Sequence, residues 1–144
     1  KAAETESNII IYGETGSGKD VAARAIHALS GRRGPYVPVN CGAIPESLME
    51  SEFFGHTKGA FSGATGNKEG YIGAASNGTL FLDELGELSL QAQVRLLRTL
   101  QNHVVERVGS TTSIPVDVRI IAATNRDLHK MLREGTFRED LITA

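Results

Sequence analysis

Short, almost unbroken apolar runs alternate along this chain with longer stretches in which apolar residues return every three or four positions. Asn8-Ile9-Ile10-Ile11-Tyr12, Val37 to Val39, Gly78-Thr79-Leu80-Phe81-Leu82 and Val118-Arg119-Ile120-Ile121-Ala122-Ala123 are of the first kind. Runs of that length without alternation read as strands: the first and last as buried ones, Val37 to Val39 as a short one and Gly78 to Leu82 as a central parallel one. Lys19 to Ser30 is of the second kind, a helix with Ala22, Ala25, Ile26 and Leu29 on one face. Pro45 suits the first position of a helix running toward Phe53. Ser89 caps a helix through Asn102 with Val94, Leu97 and Leu100 inward. Asp127 starts a further helix, with Leu128, Met131 and Leu132 on its buried side and Gly135 as its stop. Val104 to Ile114 has strand character around Gly109-Ser110 and reads as a hairpin-like insertion. Alternating β and α elements predict an α/β fold, a parallel doubly wound sheet with flanking helices.

Composition narrows the function classes. A chain of 144 residues suits one compact domain. Its formal net charge of −2 gives no basic footprint for gripping DNA, and Arg32-Arg33 is the only tight basic pair. One cysteine, Cys41, rules out an internal disulfide, and no Cys/His cluster points to a zinc site. No apolar run approaches the roughly 20 residues of a membrane span, and no signal peptide opens the chain. The expected compartment is the cytoplasm.

Chemistry enters directly after the first apolar run. Gly13-Glu14-Thr15-Gly16-Ser17-Gly18-Lys19-Asp20 joins a strand to a helix, the layout of a P-loop. Its glycines let backbone N–H groups turn around phosphate oxygens, and the helix N-terminus favours the same charge. Lys19 would reach the β- and γ-phosphates. A dinucleotide fingerprint fails, because its third glycine would fall at Val21. Asp20 stands where a Ser or Thr would normally offer a hydroxyl to Mg²⁺; a carboxylate can also ligate Mg²⁺, while adding negative charge beside the phosphates. Downstream, the run Gly78 to Leu82 ends in Asp83-Glu84. Two acids after a strand can be a solvated turn. After a P-loop they read as a Mg²⁺ ligand, Asp83, and a residue that polarises the attacking water, Glu84.

Between these halves lies Gly59-Ala60-Phe61-Ser62-Gly63-Ala64, one aromatic ring among small neighbours. It suits neither strand nor helix. Phe61 either folds back onto the body or is presented to a partner by a flexible arm.

These motifs together resemble the ATPase core of the sigma-54-dependent transcription activators, the bacterial enhancer-binding branch of the AAA+ superfamily. The resemblance spans about Asn8 to Leu141 and rests on Gly59 to Ala64, with Ser62 in place of the family's Thr, on Glu50-Ser51-Glu52-Phe53-Phe54-Gly55-His56, on Asn40-Cys41 and on the P-loop. It implies ATP and Mg²⁺ as ligands and a hexameric ring, with residues 1–144 an AAA+ sigma-54 interaction domain cut before a fifth core strand and a helical lid. It implies that Asn40 is a switch residue restraining Glu84, that Asn125 after Thr124 senses the γ-phosphate, and that Arg138 is an arginine finger for the neighbouring subunit. On the residues alone, an ordinary helix-surface salt bridge of Arg138 with Asp140 or Glu139 is the stronger reading, and only the resemblance turns it toward the finger. The acid at 20 fits this branch, whose usual residue is Glu, whereas Ala144 stands where a second finger arginine is expected. The expected partners are sigma-54 and RNA polymerase, met through the Phe61 loop, with no DNA contact by this segment. Loss of the Thr methyl at Ser62 predicts weaker sigma-54 contact. Two other readings stay open: a different AAA+ remodeller, and a nucleotide-binding regulatory module without turnover.

Overall fold

The computed structural model describes residues 8–13, 17–59, 66–124, 128–138 and 141. Strand β1 (Ile9–Tyr12) leads to helix α1 (Ser17–Ser30), then β2 (Tyr36–Asn40), α2 (Glu46–Phe54), α3 (Gly70–Ala74) and β3 (Thr79–Asp83). Helix α4 (Leu90–Asn102), strands β4 (Val104–Glu106), β5 (Ser113–Pro115) and β6 (Arg119–Thr124), and helix α5 (Leu128–Glu134) complete the order. A four-stranded sheet is arranged β1-β6-β3-β2, and every pairing in it is parallel.

Strand periodicity explains the two layers around this sheet. Successive side chains leave opposite faces, so Leu80, Leu82, Ile120 and Ala122 enter one apolar cluster while Phe81, Ile121 and Ala123 enter another. Helix α1 covers the second face through Ala23 and Ile26. Residues of α2 to α5 and their connections supply the larger first cluster. The central strands β3 and β6 are therefore buried on both sides, as their unbroken apolar sequence predicts. Strand β1 lies at the sheet's edge.

Three helix readings need correction. Helix α1 does not bury Ala25 and Leu29: both are exposed, Leu29 at 72%. Its inward stripe runs Lys19, Ala23, Ile26, because the lysine must reach the loop ahead of the helix and only a small residue fits against Phe81 and Ile121. In α4, Leu97 is buried and Leu100 packs partly, but Val94 lies toward the rim and the deep positions are Ala92, Gln93 and Leu96. Pro45 is the residue before α2, not its first helical one. Ser89 caps α4 as expected, its Oγ accepting the Ala92 N–H at 3.1 Å. Met131 and Gly135 also behave as read, one buried and the other in the left-handed conformation that ends α5. Asp127 lies outside the described residues.

Strands β4 and β5 pair antiparallel, so the predicted hairpin forms. Its tip holds the leading shoulder of the Phe61 segment, which in turn holds the trailing one. The Thr57 N–H donates to the Val108 carbonyl at 3.0 Å and the Val108 N–H to the Gly55 carbonyl at 2.9 Å. His56 and Lys68 exchange backbone bonds of 3.0 and 2.8 Å across the base. This crossing is tight enough to demand glycine. A Cβ on Gly55 would sit 2.3 Å from the Lys68 oxygen, and one on Gly70 would sit 2.4 Å from the Gly55 nitrogen.

Candidate nucleotide site at the carboxyl edge of the sheet

Parallel pairing brings the ends of all four strands to one edge. Tyr12 pairs with Thr124 and Asn40 with Asp83. The chain then turns at Gly13, whose N–H donates to the Thr124 carbonyl at 3.2 Å. Glu14, Thr15 and Gly16 lie outside the described residues, as does the side chain of Ser17. Ser17 and Gly18 open α1, and space around Gly18 is clear: an added Cβ there would meet nothing within 4 Å. Lys19 folds back over the turn, its Cε 3.3 Å from where a Gly13 Cβ would stand. The lysine is only 8% exposed, yet none of the described residues pairs with its ammonium. Shielding a cation from water is costly unless an anion meets it.

At the end of β3 the two acids have distinct postures. Asp83 Oδ1 accepts the Glu84 N–H at 2.9 Å, fixing the corner at the strand end. Glu84 itself is left-handed at φ 54° and ψ 52°, one of three non-glycine residues with positive φ among the described residues. Such a backbone costs about 1–3 kcal/mol and concentrates at functional sites. That conformation directs the carboxylate toward β2: a Cβ on Gly42 would be 2.7 Å from Glu84 Oε2. Asn40 caps the same short turn, Oδ1 accepting the Gly42 N–H at 2.9 Å. Asn40 and Glu84 thus meet at Gly42, from the ends of the neighbouring strands β2 and β3. Beneath them, burial first and the nearby Asp83 and Glu84 charges next push the Cys41 thiol up to about 12.

Asp20 is turned toward β2. Its Oδ1 accepts the Tyr36 hydroxyl at 2.9 Å and its Oδ2 the Arg24 Nε–H at 3.2 Å. The Arg24 guanidinium also lies over the Tyr36 ring, 4.9 Å from its centre. Burial, reinforced by the Asp20 carboxylate, holds the Tyr36 hydroxyl well above the usual phenol range. No group of three or more His, Cys, Asp or Glu side chains suited to a metal occurs among the described residues. A single strand-end carboxylate such as Asp83 is nevertheless what Mg²⁺ uses when phosphates supply the rest of its oxygen shell.

Arg138 is exposed, and its backbone N–H donates to Gln93 Oε1 at 2.9 Å. Gln93 was not legible as a site residue, although a polar side chain on the apolar stripe of α4 was a visible signal. Gly59 is described, in a left-handed conformation. Ala60, Phe61, Ser62, Gly63 and Ala64 lie outside the described residues, as do Asn125, Glu139, Asp140 and Ala144. No described helix is long and apolar enough to cross a membrane.

A parallel sheet with a glycine turn and lysine after its first strand, and acids after a central one, defines a P-loop NTPase fold. Residues 1–143 match the family described as the Sigma-54 interaction domain, and the chain belongs to that family. It is 57% identical over 142 residues to the Sigma54-dependent transcriptional activator SfnR of Pseudomonas putida, covering 98% of this chain and 39% of that protein. Similarity to the regulatory protein AtoC of Escherichia coli is 56% over 142 residues, covering 98% of this chain and 31% of AtoC. Among solved structures, NtrX from Brucella abortus in complex with ATP superposes with a TM-score of 0.89 at 43% identity, covering 99% of this chain and 30% of that one. The chain therefore spans about a third of the length of these relatives.

Proposed function

We propose that this domain binds ATP with Mg²⁺ and hydrolyses it to drive sigma-54-dependent transcription activation. One observation carries the reading: a shielded Lys19, with no partner for its ammonium among the described residues, folds over the Gly13 turn at the sheet edge where β3 ends in the left-handed Asp83-Glu84 corner. The likeness to NtrX, solved in complex with ATP, supports nucleotide binding.

In this reading the amides from Gly13 to Gly18 and the Lys19 ammonium hold the phosphates. Asp83 would hold Mg²⁺, which offsets phosphate charge when bound. Asp20 is the second candidate, through lone pairs that Tyr36 and Arg24 do not use. Glu84 accepts a proton from the attacking water, and Asn125 reads the γ-phosphate and orients that water. Asn40 restrains Glu84 at Gly42 until the partner is engaged. Arg138 acts on the nucleotide of the neighbouring subunit in a ring, where a guanidinium fork matches phosphate oxygens. Gly59 to Ala64 present Phe61 to sigma-54 in the polymerase complex. The leading shoulder of that segment is tied to the β4–β5 hairpin and the trailing one to His56, so a shift in the body reaches the segment through backbone bonds.

Nucleotide binding and steady-state hydrolysis by the full-length protein test the proposal. Lys19→Ala should weaken nucleotide binding by roughly tenfold or more, the weight of a charge-assisted contact. Glu84→Gln should retain binding and lose about a hundredfold or more in turnover, as for removal of a general base. Unchanged turnover in Glu84→Gln would leave a binding module without this chemistry.

A further inference from the structure

Gln93 is fully buried, with a relative exposure of 0%, on the apolar face of α4. Its carboxamide joins three backbone groups. The Nε2 donates to the Leu88 carbonyl at 3.0 Å and to the Thr136 carbonyl at 3.1 Å, while Oε1 accepts the Arg138 N–H at 2.9 Å. Both amide hydrogens and the oxygen are thereby used. The bonds to residues 136 and 138 bracket Phe137, whose ring is 3% exposed in the main core alongside Leu85 and Leu88. Leu88 follows the short 3-10 helix Leu85–Glu87, which begins right after Glu84. One side chain therefore connects the segment leaving the Asp83-Glu84 corner to the backbone of the exposed arginine.

A helix that needed only packing would place Leu or Met here, because burying an amide is costly unless each polar atom is paired. The geometry points to Gln93 as a positioning residue. Its carboxamide registers Arg138 against the Asp83-Glu84 corner of the same subunit, so the arginine offered to a neighbour is set by the offering subunit's own nucleotide pocket. This rests on the reading of Arg138 as a finger in trans, and the test separates the two.

The test uses the full-length assembled protein. Gln93→Met keeps the length and bulk of the side chain and removes all three bonds; Gln93→Asn keeps an amide one methylene too short to span them. Misplacement of a transition-state group should lower kcat between about tenfold and a hundredfold, with KM and nucleotide affinity within about twofold. Combined with Arg138→Ala, Gln93→Met should cost nothing further, since both remove one function. In mixed assemblies, Glu84→Gln subunits, which carry an intact Gln93 and Arg138, should restore turnover in Gln93→Met neighbours. A general loss of fold could not be rescued that way. If Met unfolds the protein, the same mixing with Gln93→Asn decides. Full kcat in Gln93→Met while Arg138→Ala is impaired would overturn the coupling alone, as would a multiplicative double variant. Full kcat in Arg138→Ala would overturn the finger reading and the coupling with it.

Discussion

Gly42 occupies the one position where a single methyl group would test the posture of Glu84. Its Cβ would stand 2.7 Å from Oε2, the far end of a flexible side chain, so the carboxylate can yield and stability should hardly change. Gly42→Ala is expected to keep nucleotide affinity within about twofold and to lower turnover by about tenfold or more, since sub-ångström placement governs a general base. Parallel binding and turnover measurements check this; equal losses in both would place the effect elsewhere. Another residue-scale outcome concerns His27. Its Nδ1 lies 2.7 Å from the Thr79 hydroxyl, with Tyr36 against its ring. Burial first, then the Arg32 and Arg119 charges, hold its pKa below the ordinary 6.5. The unfolded chain then takes up this proton before the folded one does, so stability falls as pH drops below 6.5. His27→Gln should flatten that slope in urea unfolding followed from pH 7.5 to 5.5, roughly one pH unit either side of the ordinary histidine value. Single residues also mark where the sequence misled. Leu29 reads as core by periodicity yet is 72% exposed, because Lys19 fixes the rotation of α1.

At the scale of elements, the crossing of Gly55 and Gly70 decides whether the Phe61 shoulders close. Both have φ of 83°, and each would drive a Cβ into the other strand's backbone. Gly70→Ala should cost about 2–4 kcal/mol, the sum of positive-φ strain and a backbone clash. Chemical denaturation gives the value, and sigma-54 binding should fall in step, because the hairpin bonds through Val108 depend on that base. A loss below about 0.5 kcal/mol would mean the crossing relaxes cheaply. By contrast, Ser89→Ala should cost only about 1 kcal/mol, through the lost cap alone. The strands, the caps at Ser89 and Gly135 and the hairpin near Gly109 were legible because local pattern suffices for them. The strand-end acids Asp83 and Glu84 were legible as a motif. Their meeting with Asn40 at Gly42 was not, since it depends on the β2–β3 register. Nor was the capture of Asp20 by Tyr36, which needs α1 laid across β2.

For the whole molecule, the open question is what the edge strand β1 does. Ile9 to Ile11 are half-buried and Tyr12 is 59% exposed. Beside them lies a cleft of about 50 Å³ lined in part by Ile10, Leu96 and Phe137. The Gly13 N–H points at β6, so by strand alternation the Ile10 and Tyr12 N–H groups face away from it. Donors that meet no strand among the described residues, flanked by apolar side chains, make a template for another strand. On its own, residues 1–144 should therefore self-associate through β1. Ring assembly would respond to nucleotide, because Arg138 and Lys19 would share it; pairing at β1 would not. Light scattering at rising protein concentration, with and without ATP, separates the two. Association independent of ATP and relieved by Tyr12→Lys, a charge placed on the edge, assigns it to β1. A clean monomer at high concentration, or association that appears only with ATP, would remove β1 from the account and leave the nucleotide pocket as the organiser of assembly.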